Sequence, residues 1–298
     1  MRREDPEIKG RPVTQGAAPV TATATQDEAV LQISDLSVTY GARVVLDQIN
    51  LSIRRGELVG IIGPNGAGKS TLLRAIAGLL RPDRGTIRFA RVQGGPARAD
   101  RARAQLGYVP QRIEMDPDVP LRACDVVGLG FDGHRFGLPW PNALKRQAVD
   151  RALALVEASE FGQSLVGRLS GGQLQRILIA QALVSEPAIL LLDEPLSSLD
   201  LRSADAVVSI VDRVAHQSGV SVLLVTHDMN PLLRAMDRII YVVNGRAVIG
   251  SVDEVVRPEV LKSLYGYDVD VVRVRGRILV VGDEEYGDEA NRFHHHAP

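Results

Sequence analysis

The run Gly63-Pro64-Asn65-Gly66-Ala67-Gly68-Lys69-Ser70-Thr71 carries the most specific chemistry in this chain. Its spacing fits G-x-x-x-x-G-K-[ST], in which glycines let backbone N–H groups close around a polyphosphate while a lysine and a hydroxyl reach its oxygens. A nucleoside triphosphate is the ligand this predicts. Farther along, Ala188-Ile-Leu-Leu-Leu-Asp193-Glu194 ends an apolar run in two adjacent carboxylates. Successive side chains on a strand point opposite ways, so the pair divides its labour unless the strand has ended. One carboxylate would hold Mg²⁺ beside the Ser70 hydroxyl, and the other would face an attacking water. A third run, Leu169-Ser170-Gly171-Gly172-Gln173, opens a helix and offers a second anion-binding N-terminus, or simply a glycine-containing cap.

These groups need particular elements beneath them. Leu58–Ile62 reads as a buried strand, and Leu72, Leu73, Ile76, Leu79 and Leu80 recur at helical spacing just after the loop. Strand, loop and helix then deliver a helix N-terminus and its partial positive charge to the phosphates. Gly172 to about Val184 reads as helix, Ala188–Leu192 as strand, Arg202–Gln217 as helix and Ser221–Thr226 as strand. Such alternation predicts an α/β fold around a parallel sheet. Leu36, Val38 and Tyr40, then Ile49, Leu51 and Ile53, alternate around Gly41, and Ile87 and Phe89 add a strand, giving an antiparallel β subdomain.

Leu144, Ala148, Ala152, Leu155 and Val156 mark an inserted helical subdomain at about 112–175, with Pro117, Pro120, Pro139 and Pro141 in its loops. Ile239–Val243 and Ala247–Ile249 flank Asn244-Gly245 as a hairpin, and Ser251 with Glu254 reads as a capping box. Residues 29–266 are expected to form the nucleotide-binding domain and 267–282 a C-terminal hairpin extension around Gly276. Residues 1–28 are expected to be disordered and 283–298 a mobile tail.

Composition narrows the class. The 298 residues are 45% hydrophobic with a net charge of −1, which offers no long-range pull toward nucleic acid or anionic lipid. The basic stretch Arg88–Arg103 reads as a solvated face. One cysteine, Cys124, excludes an intrachain disulfide and reads as a buried structural thiol suited to a reducing compartment. No run is long and apolar enough to span a bilayer, and Arg2 and Arg3 lead into Glu4, Asp5 and Glu7 without the apolar stretch of a leader. Contact with a membrane is therefore expected through another polypeptide, at its cytoplasmic face.

The order and wording of these segments resemble the nucleotide-binding subunit of ATP-binding cassette (ABC) transporters, from about Leu31 to Gly266. The resemblance implies ATP hydrolysis with Mg²⁺ held by Ser70, Gln111 and Asp193, and Glu194, His227 and Gln111 as catalytic residues. Tyr40 matches the aromatic that stacks on adenine, and Gln111 in Gly107-Tyr-Val-Pro-Gln111 the glutamine that senses Mg²⁺ and water. Asp200 in Ser198-Leu199-Asp200 matches the loop that touches the opposite subunit, and His227 in Val225-Thr-His227-Asp the histidine at the γ-phosphate. It further implies a head-to-tail homodimer, in which Ser170 of one copy faces the phosphates held by Lys69 of the other. Leu174 and Gln181 depart from the commonest family wording, away from the phosphates.

The expected partners are a second copy, membrane-spanning permease subunits and, indirectly, an extracytoplasmic solute-binding protein, with no nucleic acid. The stretch Tyr108–Gly130 and the ending Leu264-Tyr-Gly266 are similar to zinc- and manganese-type importers. Haem, siderophore or cobalamin import is the nearest alternative, with export, a non-transport cassette acting on nucleic acid or the ribosome, and a phosphate-loop kinase or GTPase behind it. His294-His295-His296 reads as a weak metal-binding or passive tail, and His134 and His216 as structural.

Overall fold

The computed structural model describes residues 29–90, 106–111, 119–132 and 143–282. The readings of residues 1–28, of most of Arg88–Arg103, of Pro117, Pro139, Pro141 and His134, and of the tail with its three histidines lie outside the described residues.

In chain order come β1 (Ala29–Tyr40), β2 (Arg43–Arg54), β3 (Leu58–Ile62), α1 (Lys69–Ile76), β4 (Arg84–Phe89) and β5 (Leu106–Val109). Then follow α2 (Ala123–Asp132), α3 (Ala143–Leu155), α4 (Gly171–Leu183), β6 (Ile189–Asp193), α5 (Leu201–His216) and β7 (Ser221–Val225). The chain continues through β8 (Arg238–Val243), β9 (Arg246–Gly250), α6 (Val252–Val255), α7 (Pro258–Tyr265), β10 (Val269–Val274) and β11 (Arg277–Gly282).

A six-stranded sheet in the order β5-β6-β7-β3-β8-β9 is parallel except for β9, which returns antiparallel on β8. The α/β expectation holds. Its inner strands are apolar on both faces, as a covered parallel sheet requires. Alternation sorts them into two cores. Val59, Ile61, Leu191, Leu223, Val225 and Ile240 pack with α1 and the antiparallel sheet β2-β1-β4. Leu58, Ile62, Leu190, Leu192, Val222 and Leu224 face α2 to α5 on the other side. Strand β3, which leads into the glycine-rich loop, is thus pinned from both sides.

Three local readings shift. The apolar spacing extends the first helix to Leu80, but α1 stops at Ile76 and Gly78 turns the chain with φ 70°, leaving Leu79 exposed. In α3 the buried face is Ala148, Val149, Ala152 and Leu153, and Leu144 stands in solvent, because Val149 and the stem of Lys145 pack against Gly128 of α2. Cys124 is half-buried rather than buried, and burial raises its thiol pKa.

His216 has partners that its spacing in the sequence did not suggest. At the end of α5 its Nδ1 lies 2.9 Å from Asp212 Oδ1 and its Nε2 3.0 Å from Asp237 Oδ2, which also accepts from the Leu58 N–H. Both ring nitrogens face carboxylates, an arrangement that favours the doubly protonated, charged ring. Burial alone would lower the His216 pKa, but the bonds to Asp237 and Asp212 outweigh it and the net direction is up. A raised folded-state pKa contributes stability that is full below the unfolded value of about 6.5 and fades as pH rises through the folded value. Replacing His216 by alanine should therefore lower the thermal midpoint most at pH 6 and progressively less toward pH 8.5. Midpoints of both chains across that range check this; a constant gap would show that His216 acts by packing alone.

Candidate functional site

β3 ends at the loop, whose first residue, Gly63, has φ 147°, and a Cβ built there would sit 2.0 Å from the Val242 carbonyl oxygen. Only glycine lets the loop leave the sheet this close to β8. The loop ends at Gly68, the N-cap of α1, which has no capping side chain and no acidic residue in its first turn. Its N–H groups and dipole are therefore neutralised by no residue of that turn, which suits an anion. Pro64, Asn65 and Gly66 are exposed, whereas Gly63, Ala67, Gly68 and Lys69 are buried.

Lys69 Nζ donates to the Gly63 and Pro64 carbonyls, both at 2.8 Å, so the loop curls over its own ammonium. Burial lowers the Lys69 pKa, opposed by the negative charges of Glu194 and Asp193. Ser70 Oγ donates to Asp193 Oδ1 at 3.0 Å. Thr71 follows, half-buried, in the first turn.

The two carboxylates part company by backbone geometry. Asp193 is the last residue of β6, and burial raises its pKa against the Ser70 bond and the charge of Arg74. At Glu194 the chain turns left-handed, with φ 50°, held by its N–H on the Val225 carbonyl and by Ser197 Oγ on its own carbonyl. Its side chain then accepts from Gln111 Nε2 at 2.8 Å and lies 3.8 Å from His227 Nδ1. Six side chains therefore converge at the C-terminal ends of β3, β5, β6 and β7: Lys69, Ser70, Gln111, Asp193, Glu194 and His227. In open α/β sheets this is the end at which ligands bind. The oxygen donors of Ser70 and Asp193, touching each other beneath the loop, fit Mg²⁺, which takes one or two carboxylates together with phosphate oxygens.

Tyr40 is half-exposed at the end of β1, opposite Arg43 across a tight turn. Farther along β2, Val45 and Leu46 lie against Gly68, so that turn stands beside the loop. The Ser170 group sits elsewhere. Ser170 and Gln173 form a reciprocal capping box, with Gln173 N–H donating to Ser170 Oγ and Ser170 N–H to Gln173 Oε1. Asp200 caps α5 by accepting from the Ser203 N–H and hydroxyl. A Cβ on Gly172 would meet Ser203 at 2.7 Å and one on Gly171 would touch Leu199, so these two helix starts form one joint. Among the described residues no hydrogen bond links that joint to Lys69 or Ser70 of the same chain.

Sequence reasoning passed over Arg74 and Tyr108. Arg74 lies one helical turn after Ser70, and its positive charge lowers the pKa of both Asp193 and Tyr108 against the effect of burial. The signals were the i, i+4 spacing on α1 and the register of Tyr108 with Leu191, two residues before Asp193. Among the described residues no group of three or more His, Cys, Asp or Glu could hold a metal by itself, and no helix is long and apolar enough to cross a membrane.

The sequence profile of the ABC transporter family matches residues 46–197. The zinc import ATP-binding protein ZnuC of Roseobacter denitrificans is 35% identical over 240 residues, 80% of this chain and 85% of that protein. Among solved structures, a chain from an inward-facing transporter assigned to the metal-chelate type is 26% identical, with a TM-score of 0.71, over 87% of this chain and 98% of that one. A dimeric ATP-binding cassette bound to ADP and Pi in a post-hydrolysis state is 29% identical with a TM-score of 0.61, over 74% of this chain and 98% of that one.

Proposed function

The chain belongs to the ABC transporter family as an ATP-hydrolysing subunit, and we propose that it energises import of zinc or manganese through separate membrane-spanning subunits, from the cytoplasmic face. One observation carries the hydrolytic part: Glu194, turned out of β6, meets Gln111 and His227 above the Lys69–Ser70–Asp193 corner. The metal-import part rests on similarity to zinc import proteins over most of their length.

In this reading Lys69 exchanges its two loop carbonyls for the β- and γ-phosphates, and the N–H groups from Asn65 to Thr71 close around them. Tyr40 stacks on the adenine. Ser70, Asp193 and Gln111 would hold Mg²⁺, which would supply positive charge against that of the phosphates. Glu194 orients and polarises the attacking water, and His227 reaches the γ-phosphate. Catalysis is thus positioning and charge stabilisation.

The Ser170-Gly171-Gly172-Gln173 start of α4 has its own capping box satisfied, yet its end remains exposed at Ser170 and Gly171. It serves the nucleotide of a second copy in a head-to-tail homodimer, with Asp200 at the same seam. In this reading α2 and α3, within the helical subdomain expected at about 112–175, receive the permease, the β10–β11 hairpin extends the nucleotide-binding core, and a solute-binding protein acts indirectly. Sedimentation of the Glu194→Gln chain with ATP should give a dimer. A monomer carrying ATP would remove the shared site.

Cargo is tested in cells. Deleting the coding sequence should lower zinc or manganese uptake and leave haem or cobalamin uptake unchanged. The reverse pattern would favour metal-chelate import, the second reading, which rests on the likeness to the metal-chelate type transporter.

A further inference from the structure

His227 is 61% exposed at its side chain, and its Nδ1 stands 3.8 Å from Glu194, beyond a hydrogen bond. The position of its ring is therefore set by the loop that carries it. That loop is closed on itself at both neighbours. Thr226 is buried, its N–H donates to the Ile61 carbonyl, and its hydroxyl donates to the Asp228 carbonyl at 2.7 Å while accepting from the Asp228 N–H. His227 is the apex between these two.

The outer anchor of the loop is Asn230. Asp228 Oδ1 accepts from the Asn230 N–H at 2.9 Å and from Asn230 Nδ2 at 2.8 Å. The remaining face of the Asn230 amide is committed 48 residues away: Oδ1 accepts from the Ile278 N–H at 2.8 Å, and Nδ2 donates to the Ile278 carbonyl at 3.2 Å. Both donors of the side-chain amide and its oxygen are engaged, which also fixes which end is nitrogen. The amide pairs with β11 as a neighbouring strand would, at the edge that β10 leaves free. The hairpin in turn is seated on the large core by Val269 and Ile278, both buried.

We propose that Asn230 is a positioning residue for hydrolysis, clipping the His227 loop to the β10–β11 hairpin so that the hairpin holds His227 at the distance its task requires. The proposal rests on the reading of His227 given above. A half-buried pair of amide bonds, made to backbone on a separate hairpin, adds a polar clip to a loop whose other anchors are Thr226 and the buried side chains of Met229 and Leu232. Loss of the clip frees the apex without touching Lys69 or the phosphate loop, so it acts on turnover rather than on nucleotide affinity.

The test uses the full chain, with ATP hydrolysis measured beside amide exchange at Ile278. Asn230→Ala should lower kcat about tenfold with KM for ATP within about twofold, and should speed exchange of the Ile278 N–H. Asn230→Asp, of equal size, sets a second carboxylate against Asp228 and should slow kcat as well; it serves if the alanine chain does not fold. Adding Asn230→Ala to His227→Ala should change turnover less than about twofold, since both act through one ring. Wild-type kcat in both Asn230 variants beside a slow His227→Ala overturns the clip and leaves His227 in place. A KM rise matching the fall in kcat, or losses that multiply in the double variant, overturns it too. Wild-type turnover in His227→Ala removes the reading of His227 itself, and the proposal with it.

Discussion

The Glu194→Gln chain is expected to bind ATP with nearly unchanged affinity and to hydrolyse it more slowly by on the order of a hundredfold. Glutamine has the same shape, and its amide oxygen can still accept from Gln111 Nε2, which in the native chain lies 2.8 Å from the carboxylate. The left-handed turn at residue 194 is held by backbone bonds and by Ser197, not by the carboxylate, so the local fold survives. What disappears is the negative oxygen that draws a proton from water. Affinity is spared because the phosphates are held by Lys69 and the loop amides, and one negative charge has left their neighbourhood. Isothermal binding measurements beside steady-state turnover check this. Wild-type turnover would take Glu194 out of the water-activating role and leave the phosphate site untouched.

The parts of this site that could be read from the sequence are those in which neighbours along the chain are neighbours in space. Leu58–Thr71 is strand, loop and helix start in one stretch, and glycine spacing alone implies its geometry. The Asp193–Glu194 division was legible as an alternative. Whether the strand had ended was not, and the left-handed φ of Glu194 decides it. Ile239–Val243 read as half of a hairpin, which it is, but its parallel pairing with β3 at the centre of the sheet is a choice among distant strands that periodicity cannot make. The face of α3 turned on a single packing partner, Gly128, and the stop of α1 on Gly78, while the apolar spacing ran past both. Asn230 was silent for the same reason. A bond between a loop side chain and a backbone 48 residues later leaves no periodic trace.

Lys69→Ala is expected to fail earlier in the cycle, losing both ATP binding and hydrolysis. Lys69 is buried, its pKa is depressed by that burial, and it is nevertheless kept near two carboxylates whose charges oppose the shift. A buried ammonium held only by two backbone carbonyls is a charge waiting for a better partner, and a triphosphate is the strongest one the site can admit. Charge-assisted bonds of this kind contribute about 1.5–3 kcal/mol each. Removing the ammonium should therefore weaken ATP by on the order of a hundredfold. It also leaves Asp193 and Glu194 facing the phosphates with one cation fewer, so excess nucleotide should not restore wild-type turnover. Gly63 and Pro64 keep their backbone path, because that path is set by the closeness of Gly63 to Val242 and not by the lysine. Thermal unfolding without nucleotide reports the loss of the two lysine bonds to the Gly63 and Pro64 carbonyls, and the readout is the ATP-induced rise in midpoint, which the native chain should show and the variant should lack, since only the native chain gains stability from the ligand. An ATP-induced rise in midpoint equal to that of the native chain would place the phosphates away from Lys69, and with them the whole corner built on Ser70 and Asp193.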